Sequence, residues 1–265
     1  MNKKIFIYHH LGLGDHFHCN GVVRFLLENK FKNKKVYLFS KKKFSEMIKL
    51  MYRDISRLEV ISISDDENKE SEEIKTYLKY GDHIEKIGFD YFVKKQNKNM
   101  TIDMIFYDQY NIDYSKRFEL TYWKRDYSRE NEFYSNLAKN KSYAFVHDDP
   151  SRGFVIPDKL ISSELQVIRN SNKNSIFDYA KIIENAKEIH VMESSIRCML
   201  EYLNTKNAKH FLYNFYASWK SIPFYDENNN IVGSSKKWKI VKLKIKKKQK
   251  FIKRIINKFI SDKGT

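Results

Sequence analysis

Apolar and polar positions alternate along this chain in blocks that switch between the two-residue rhythm of a strand and the 3.6-residue rhythm of a helix. The apolar run Ile5-Phe6-Ile7-Tyr8 is followed by His9-His10-Leu11-Gly12-Leu13-Gly14. An amphipathic segment over 15–29 comes next, with Val22, Val23, Phe25, Leu26 and Leu27 as its apolar positions. This pattern predicts strand, tight turn and helix, with Asp15 at the N-cap. The rhythm then repeats as a strand over 36–40, a helix with Phe44, Met47, Ile48 and Met51 on its apolar face, and a strand over 58–63. Strands and helices in alternation with short connections predict a parallel sheet covered by helices.

Asp65-Asp66-Glu67 opens an acidic stretch with Glu70, Glu72 and Glu73, which reads as the solvated start of a helix rather than a metal site. Gly81-Asp82-His83 and Gly88-Phe89-Asp90 are turn signals around a short apolar piece. The stretch from Met104 to Tyr114 is rich in aromatics and amides, compatible with a carbohydrate platform and equally with aromatic packing between units. A second unit begins at Ser142: the strand Tyr143-Ala144-Phe145-Val146-His147 opens into Asp148-Asp149-Pro150-Ser151-Arg152-Gly153. A further strand, Glu188-Ile189-His190-Val191-Met192, delivers Glu193-Ser194-Ser195 into a helix, and His210-Phe211-Leu212-Tyr213 is another strand. Serines at a helix start serve as caps and as phosphate ligands.

The chemistry concentrates in the first turn. Four histidines, Asp15 and Asn20 crowd a glycine-containing corner beyond the carboxyl end of a strand, where ligands of parallel sheets lie, so this corner reads as an active-site floor. A dinucleotide fingerprint fails there, because its third glycine would fall on Phe17 and Lys41-Lys42-Lys43 stands where an acidic ribose partner belongs. No Walker lysine follows the glycines either.

Composition adds bounds. The chain has 265 residues, 42% apolar, enough for one large core or two modest ones. Two distant cysteines, Cys19 and Cys198, form neither a disulfide framework nor a zinc spacing, which favours a reducing compartment. With no signal-peptide-like stretch and no apolar run of membrane length, a cytoplasmic protein is expected. The net charge of +17 resembles a nucleic-acid signature until it is located. Residues 236–265 hold thirteen Lys or Arg against one acid, which leaves only +5 for the rest.

Taken in order, several segments resemble bacterial GT-B-type glycosyltransferases of surface polysaccharide synthesis, of the heptosyltransferase and fucosyltransferase kind, over most of residues 1–220. They are Gly12-Leu13-Gly14-Asp15 with Asn20-Gly21-Val22-Val23-Arg24, Phe106-Tyr107-Asp108-Gln109 to Arg117-Phe118, Phe145-Val146-His147-Asp148-Asp149 to Arg152-Gly153-Phe154, and Ile189 to Leu200 with Glu193-Ser194-Ser195. The resemblance implies two Rossmann-like α/β domains facing across a cleft: an acceptor domain over 1–141 and a short donor domain over 142–235. It implies Asp15 as general base, with His16 as a substitute, and an acceptor site formed by Gly12, Gly14, His18, Asn20 and Gln109. The donor, a nucleotide-diphosphate sugar, would be held by Arg152, His147, His190, Glu193, Ser194 and Ser195. No metal and no further cofactor are expected, and an aspartate base opposite the leaving group favours inversion.

Residues 236–265 complete the picture. Phe251, Ile252, Ile255, Ile256, Phe259 and Ile260 recur at helical spacing between Lys250, Lys253, Arg254 and Lys258. This predicts a basic amphipathic C-terminal helix lying on an anionic membrane surface, where a glycan or lipid-linked acceptor would be presented. The alternative reading is a non-catalytic module that binds nucleotide or nucleic acid through this basic tail, but no nucleic-acid motif favours it.

Overall fold

The computed structural model describes residues 3–89, 100–138, 142–150, 153–171, 173–215 and 233–243. In the first unit, β1 (Ile5–Tyr8), α1 (Leu13–Asn29), β2 (Val36–Lys41), α2 (Ser45–Met51), β3 (Leu58–Ile63), α3 (Glu67–Tyr77) and β4 (His83–Lys86) follow one another. Helices α4 (Ile102–Asp108), α5 (Arg117–Leu120) and α6 (Tyr127–Ala138) complete the first half. The sheet order is β3-β2-β1-β4, all parallel, with Ile5 level with both Val36 and His83. Asp66 caps α3 by accepting the N–H of Asn68, so the acidic stretch is a helix start.

The second unit contains β5 (Tyr143–His147), β6 (Gln166–Arg169), α7 (Ala180–Asn185), β7 (Glu188–Met192), α8 (Ser195–Leu200), β8 (Lys209–Phe215) and β9 (Trp238–Leu243). Its parallel order, β6-β5-β7-β8-β9, is that of a doubly wound sheet. Two boundaries differ from expectation. Trp238–Leu243, assigned above to the tail, is an edge strand with Trp238 level with His210 and Leu243 level with Phe215. Trp238 and Ile240 pack into the core on one face and Val241 and Leu243 into a second cluster on the other. The amphipathic stripe over 251–260 lies outside the described residues. Helix α6, placed above in the first unit, packs on α7 of the second, and just before α7 Phe133 stands edge-on to Tyr179 at a centroid distance of 4.9 Å.

Helix α1 joins the two units. Ten of its seventeen residues are buried, more than one apolar stripe provides, because it is covered from several sides. A Cβ at Gly21 would stand 2.3 Å from the Tyr107 hydroxyl and 3.0 Å from Leu120, so the absent side chain lets α4 and the end of α5 close on the helix. Toward the second unit, Phe17 meets Trp123 and Phe177 at 5.7 and 5.8 Å, and one apolar core runs through both halves. The aromatic stretch over 104–114 serves this packing, with Tyr107 fully buried and Tyr110 donating to Glu85.

Between α5 and α6 the chain crosses from one unit to the other, and Arg125 fastens the crossing. Its guanidinium donates to the buried Glu130 and, at 2.8 Å, to Glu184 at the end of α7. Removing it strands a buried carboxylate. Arg125→Ala is expected to lower unfolding free energy by about 2–4 kcal/mol in chemical denaturation.

Candidate functional site

The carboxyl ends of β1 and β7 each pass through a short polar turn into a helix, and the starts of those two helices meet. A Cβ at Gly14 would lie 3.3 Å from Cys198 Sγ and 3.9 Å from Ser195 Cα. The turn after β1 thus stands against the turn after β7, and residues from distant parts of the chain share one corner.

Gly12, in extended conformation, is the N-cap of α1, so Asp15 sits inside the first turn rather than at the cap. From there its carboxylate reaches back and accepts the N–H groups of Gly12 and of Asp15 itself. A Cβ at Gly12 would come within 2.5 Å of Asp15 Oδ2, so the glycine leaves room for the carboxylate. Burial pushes the Asp15 carboxyl above its ordinary range, against the opposing pull of His18, His10 and the two backbone donors.

The histidines of the turn separate into two kinds. His9 and His16 are fully buried and stand edge to face at 4.3 Å. Burial lowers His9 to about 4 and carries His16 well below its usual value, so both are neutral imidazoles. His16, expected as a substitute base, belongs to the core and not to the corner. His18 is the opposite case. Burial opposes its charge, but Cys198 Sγ at 3.2 Å from Nε2 and Asp103 Oδ2 at 3.6 Å from Nδ1 outweigh it and raise His18 to about 10.

Several expected contact residues are committed to the framework. Asn20 is fully buried, and its Oδ1 accepts the Tyr122 N–H at 2.9 Å and Arg24 Nε at 3.2 Å. Gln109 spans the end of β4, donating to the Lys86 carbonyl and accepting the Gly88 N–H, both at 2.8 Å. His190 is fully buried in mid-strand, bonded to the Tyr213 hydroxyl at 2.8 Å and Glu188 at 3.1 Å, and stacked on Phe211 at 4.4 Å. All three side chains thus bond groups of the protein itself. His147 ends β5, with Nδ1 2.8 Å from Asn170 Oδ1. Asp148 is tied to Arg169 and to the Ile156 N–H.

At the second helix, Ser194 is the N-cap and accepts the Arg197 N–H, whereas Ser195 stands half-buried opposite Gly14. Glu193 is exposed and pairs with Arg197 at 2.9 Å. Arg152 lies outside the described residues. Asp103, Arg197 and Cys198 are the site members that the sequence reading missed. Cys198 falls three residues after Ser195 on a helix, so one turn of spacing was the available signal. Among the described residues no group of three or more histidines, cysteines or carboxylates is arranged to hold a metal ion. No described helix is long and apolar enough to cross a membrane.

No protein-family model and no curated protein matches the sequence. Among solved structures the chain is similar to a glycosyl transferase of family 9 from Veillonella parvula DSM 2008, with 10% identity and a TM-score of 0.51, covering 96% of this chain and 89% of that one. It is also similar to the Escherichia coli heptosyltransferase WaaC with ADP, at 11% identity and a TM-score of 0.46, covering 96% and 99%. For the E. coli ADP-heptose lps heptosyltransferase II the values are 11%, 0.46, 91% and 90%. The likeness to the Veillonella protein extends over both units and shows a shared fold: two parallel-sheet α/β units in the GT-B manner.

The buried neutral histidines make stability depend on acid. His9 takes a proton near 6.5 when unfolded and near 4 when folded. Between those values the unfolded state binds the extra proton, so stability falls as pH drops from 6.5 to 4, by about 1.4 kcal/mol per pH unit for this group. Denaturation midpoints measured from pH 7 to pH 4 are expected to show that decline. His16→Phe, which removes a second such group, is expected to make it shallower.

Proposed function

We propose that the protein is a glycosyltransferase that moves a sugar from a nucleotide-diphosphate sugar to a glycan or lipid-linked acceptor. The observation that carries the reading is the meeting of the two turns, which sets the Asp15 carboxylate one residue from the Gly14–Ser195 contact. The shared fold with a family 9 glycosyl transferase supports it.

Glycosyl transfer needs a base at the acceptor hydroxyl and positive charge or N–H donors at the departing diphosphate. Asp15 takes the proton of the attacking hydroxyl, and its partial burial strengthens it as a base. The Ser195 hydroxyl and N–H, with the Arg152 guanidinium, meet the diphosphate oxygens. Charge neutralisation rests on these groups, without a divalent ion. Attack from the Asp15 side, opposite the leaving group, inverts the anomeric carbon. Residues 244–265, which carry nine Lys or Arg among isoleucines and phenylalanines, hold the enzyme at the anionic inner surface of the membrane.

A thermal-shift series with GDP, UDP, CMP, ADP and their sugars tests the donor site. One diphosphate nucleotide is expected to stabilise the wild type, by about 2.7 kcal/mol at a hundredfold excess over Kd, and to fail with Arg152→Ala. Asp15→Asn is expected to keep that stabilisation and lose transfer by about 10²–10⁴-fold. A melt moved by RNA and by no nucleotide would overturn the reading. Cosedimentation with phosphatidylserine vesicles is expected for the full chain and is expected to be lost when Lys246, Lys247, Lys248 and Lys250 are changed to Glu.

A further inference from the structure

The amino ends of β8 and β9 gather charge at the opposite end of the second sheet from the turn after β7, since β7, β8 and β9 run parallel. A turn closed by the Ala208 N–H on the Thr205 carbonyl at 3.1 Å leads into β8, and Ser235 to Lys237 lead into β9. A cavity of about 610 Å³ opens there. Five lysines, Lys206, Lys209, Lys236, Lys237 and Lys239, line it, and among the described residues no carboxylate does.

The carboxylates nearest to this cavity are engaged by other groups. Glu201 accepts Arg197, the Ser234 hydroxyl and the Ser235 N–H at 3.1, 2.7 and 2.7 Å. Glu188 holds the Ser162 hydroxyl at 2.7 Å and His190 at 3.1 Å, which leaves Lys209 Nζ 3.8 Å away. Among the described residues no carboxylate pairs with Lys206, Lys237 or Lys239. Lys236 donates to the Leu203 carbonyl at 2.7 Å. Burial lowers its ammonium below the ordinary range, and the charge of Lys206 acts in the same direction, against Glu201 and Glu184. Like charges on one concave surface repel one another, and a multivalent anion among them replaces that repulsion with attraction.

The lining also specifies the kind of anion. Arginine takes planar carboxylates bidentately, and no arginine lines the cavity, whereas lysine ammoniums are point charges on flexible stems that gather around the oxygens of a tetrahedral anion. Phe211 is already stacked on His190 at 4.4 Å, with Lys239 Nζ 5.7 Å from its ring centroid, so charge and not base stacking characterises these walls. Small-molecule sites occupy roughly 300–1,000 Å³, and the cavity has the size for more than a lone ion. We infer that it is a binding site for a phosphate-bearing group, a free diphosphate or the phosphorylated headgroup of a lipid. It stands apart from the corner that holds Asp15 and does not depend on Asp15 being the base or on Arg152 holding a donor.

Titration calorimetry of the full chain with pyrophosphate, paired with cosedimentation on phosphatidylcholine vesicles with and without phosphatidic acid, tests the site. Arg152→Ala removes the donor site's share of pyrophosphate binding, and binding is expected to persist in that background. Adding Lys206→Glu and Lys237→Glu is expected to weaken it by about tenfold to a hundredfold for each lysine, and Lys206→Arg with Lys237→Arg to retain it. Both lysines are exposed, so these variants leave the core intact. The vesicle arm distinguishes the sources. A lipid headgroup as ligand makes the Glu pair lower binding to phosphatidic acid vesicles beyond the loss caused by changing Lys246, Lys247, Lys248 and Lys250 to Glu. A free diphosphate as ligand leaves vesicle binding unmoved by the pair while pyrophosphate binding falls. The inference is overturned if the Glu pair changes neither pyrophosphate binding in Arg152→Ala nor binding to phosphatidic acid vesicles, including the case in which RNA is the ligand it loses.

Discussion

The close approach of α1 to its neighbours is the constraint on which this structure depends. Two glycines two turns apart along one helix make it possible: Gly21 toward the Tyr107 hydroxyl and Gly14 toward Cys198 and Ser195. Packed on so many sides, α1 cannot rotate or slide without driving side chains into backbone, so every residue it carries has a determined direction. Asn20 faces the crossing segment, Phe17 faces the aromatic cluster with Trp123 and Phe177, and Asp15 and His18 face the corner where the units meet. The boundary between the halves is thus part of the core, and the corner inherits its precision from that packing.

The same constraint sorts residues of one chemical type into opposite states. His9, His16 and His18 lie within ten residues of one another. Two are buried against each other and held neutral, and the third, reached by Cys198 and Asp103, is pushed up. A carboxylate nearby is raised by burial and restrained by that histidine. Pushing neighbouring titratable groups in opposite directions is how a site acquires both a proton acceptor and a fixed charge at one pH. Here the division follows from which elements pack on each face of α1.

Much of the architecture was legible because strands and helices announce themselves by period. The runs at Ile5, Val36, Leu58, Tyr143, Glu188 and His210 are all strands, and the glycine turn does end a strand and open a helix. The short strands β4 and β6 were missed, since four residues give too little alternation to stand out from a turn. Strand β9 was read as part of a charged tail because the lysines of 236–248 outweigh, in composition, the apolar Trp238, Ile240, Val241 and Leu243. At the site, Ser194, read as a cap and a donor ligand, is the N-cap, and His190 and Gln109, read as ligand contacts, bond groups of the protein itself. Their side chains are polar, and polarity in a sequence does not distinguish a group that meets a ligand from one that bonds another part of the protein.

By itself, the sequence determined the local rhythm of the chain, the two α/β units and the polar turns at the carboxyl ends of β1 and β7, because these depend on neighbours three or four residues away. Tertiary structure decided which of those polar groups meet. Asp103, His18 and Cys198 lie on three different elements and come within contact only because Gly14 lets α8 close on α1. Protonation followed the same division: a histidine's charge depends on desolvation and on partners within a few ångströms, and those are set by packing between elements far apart in sequence.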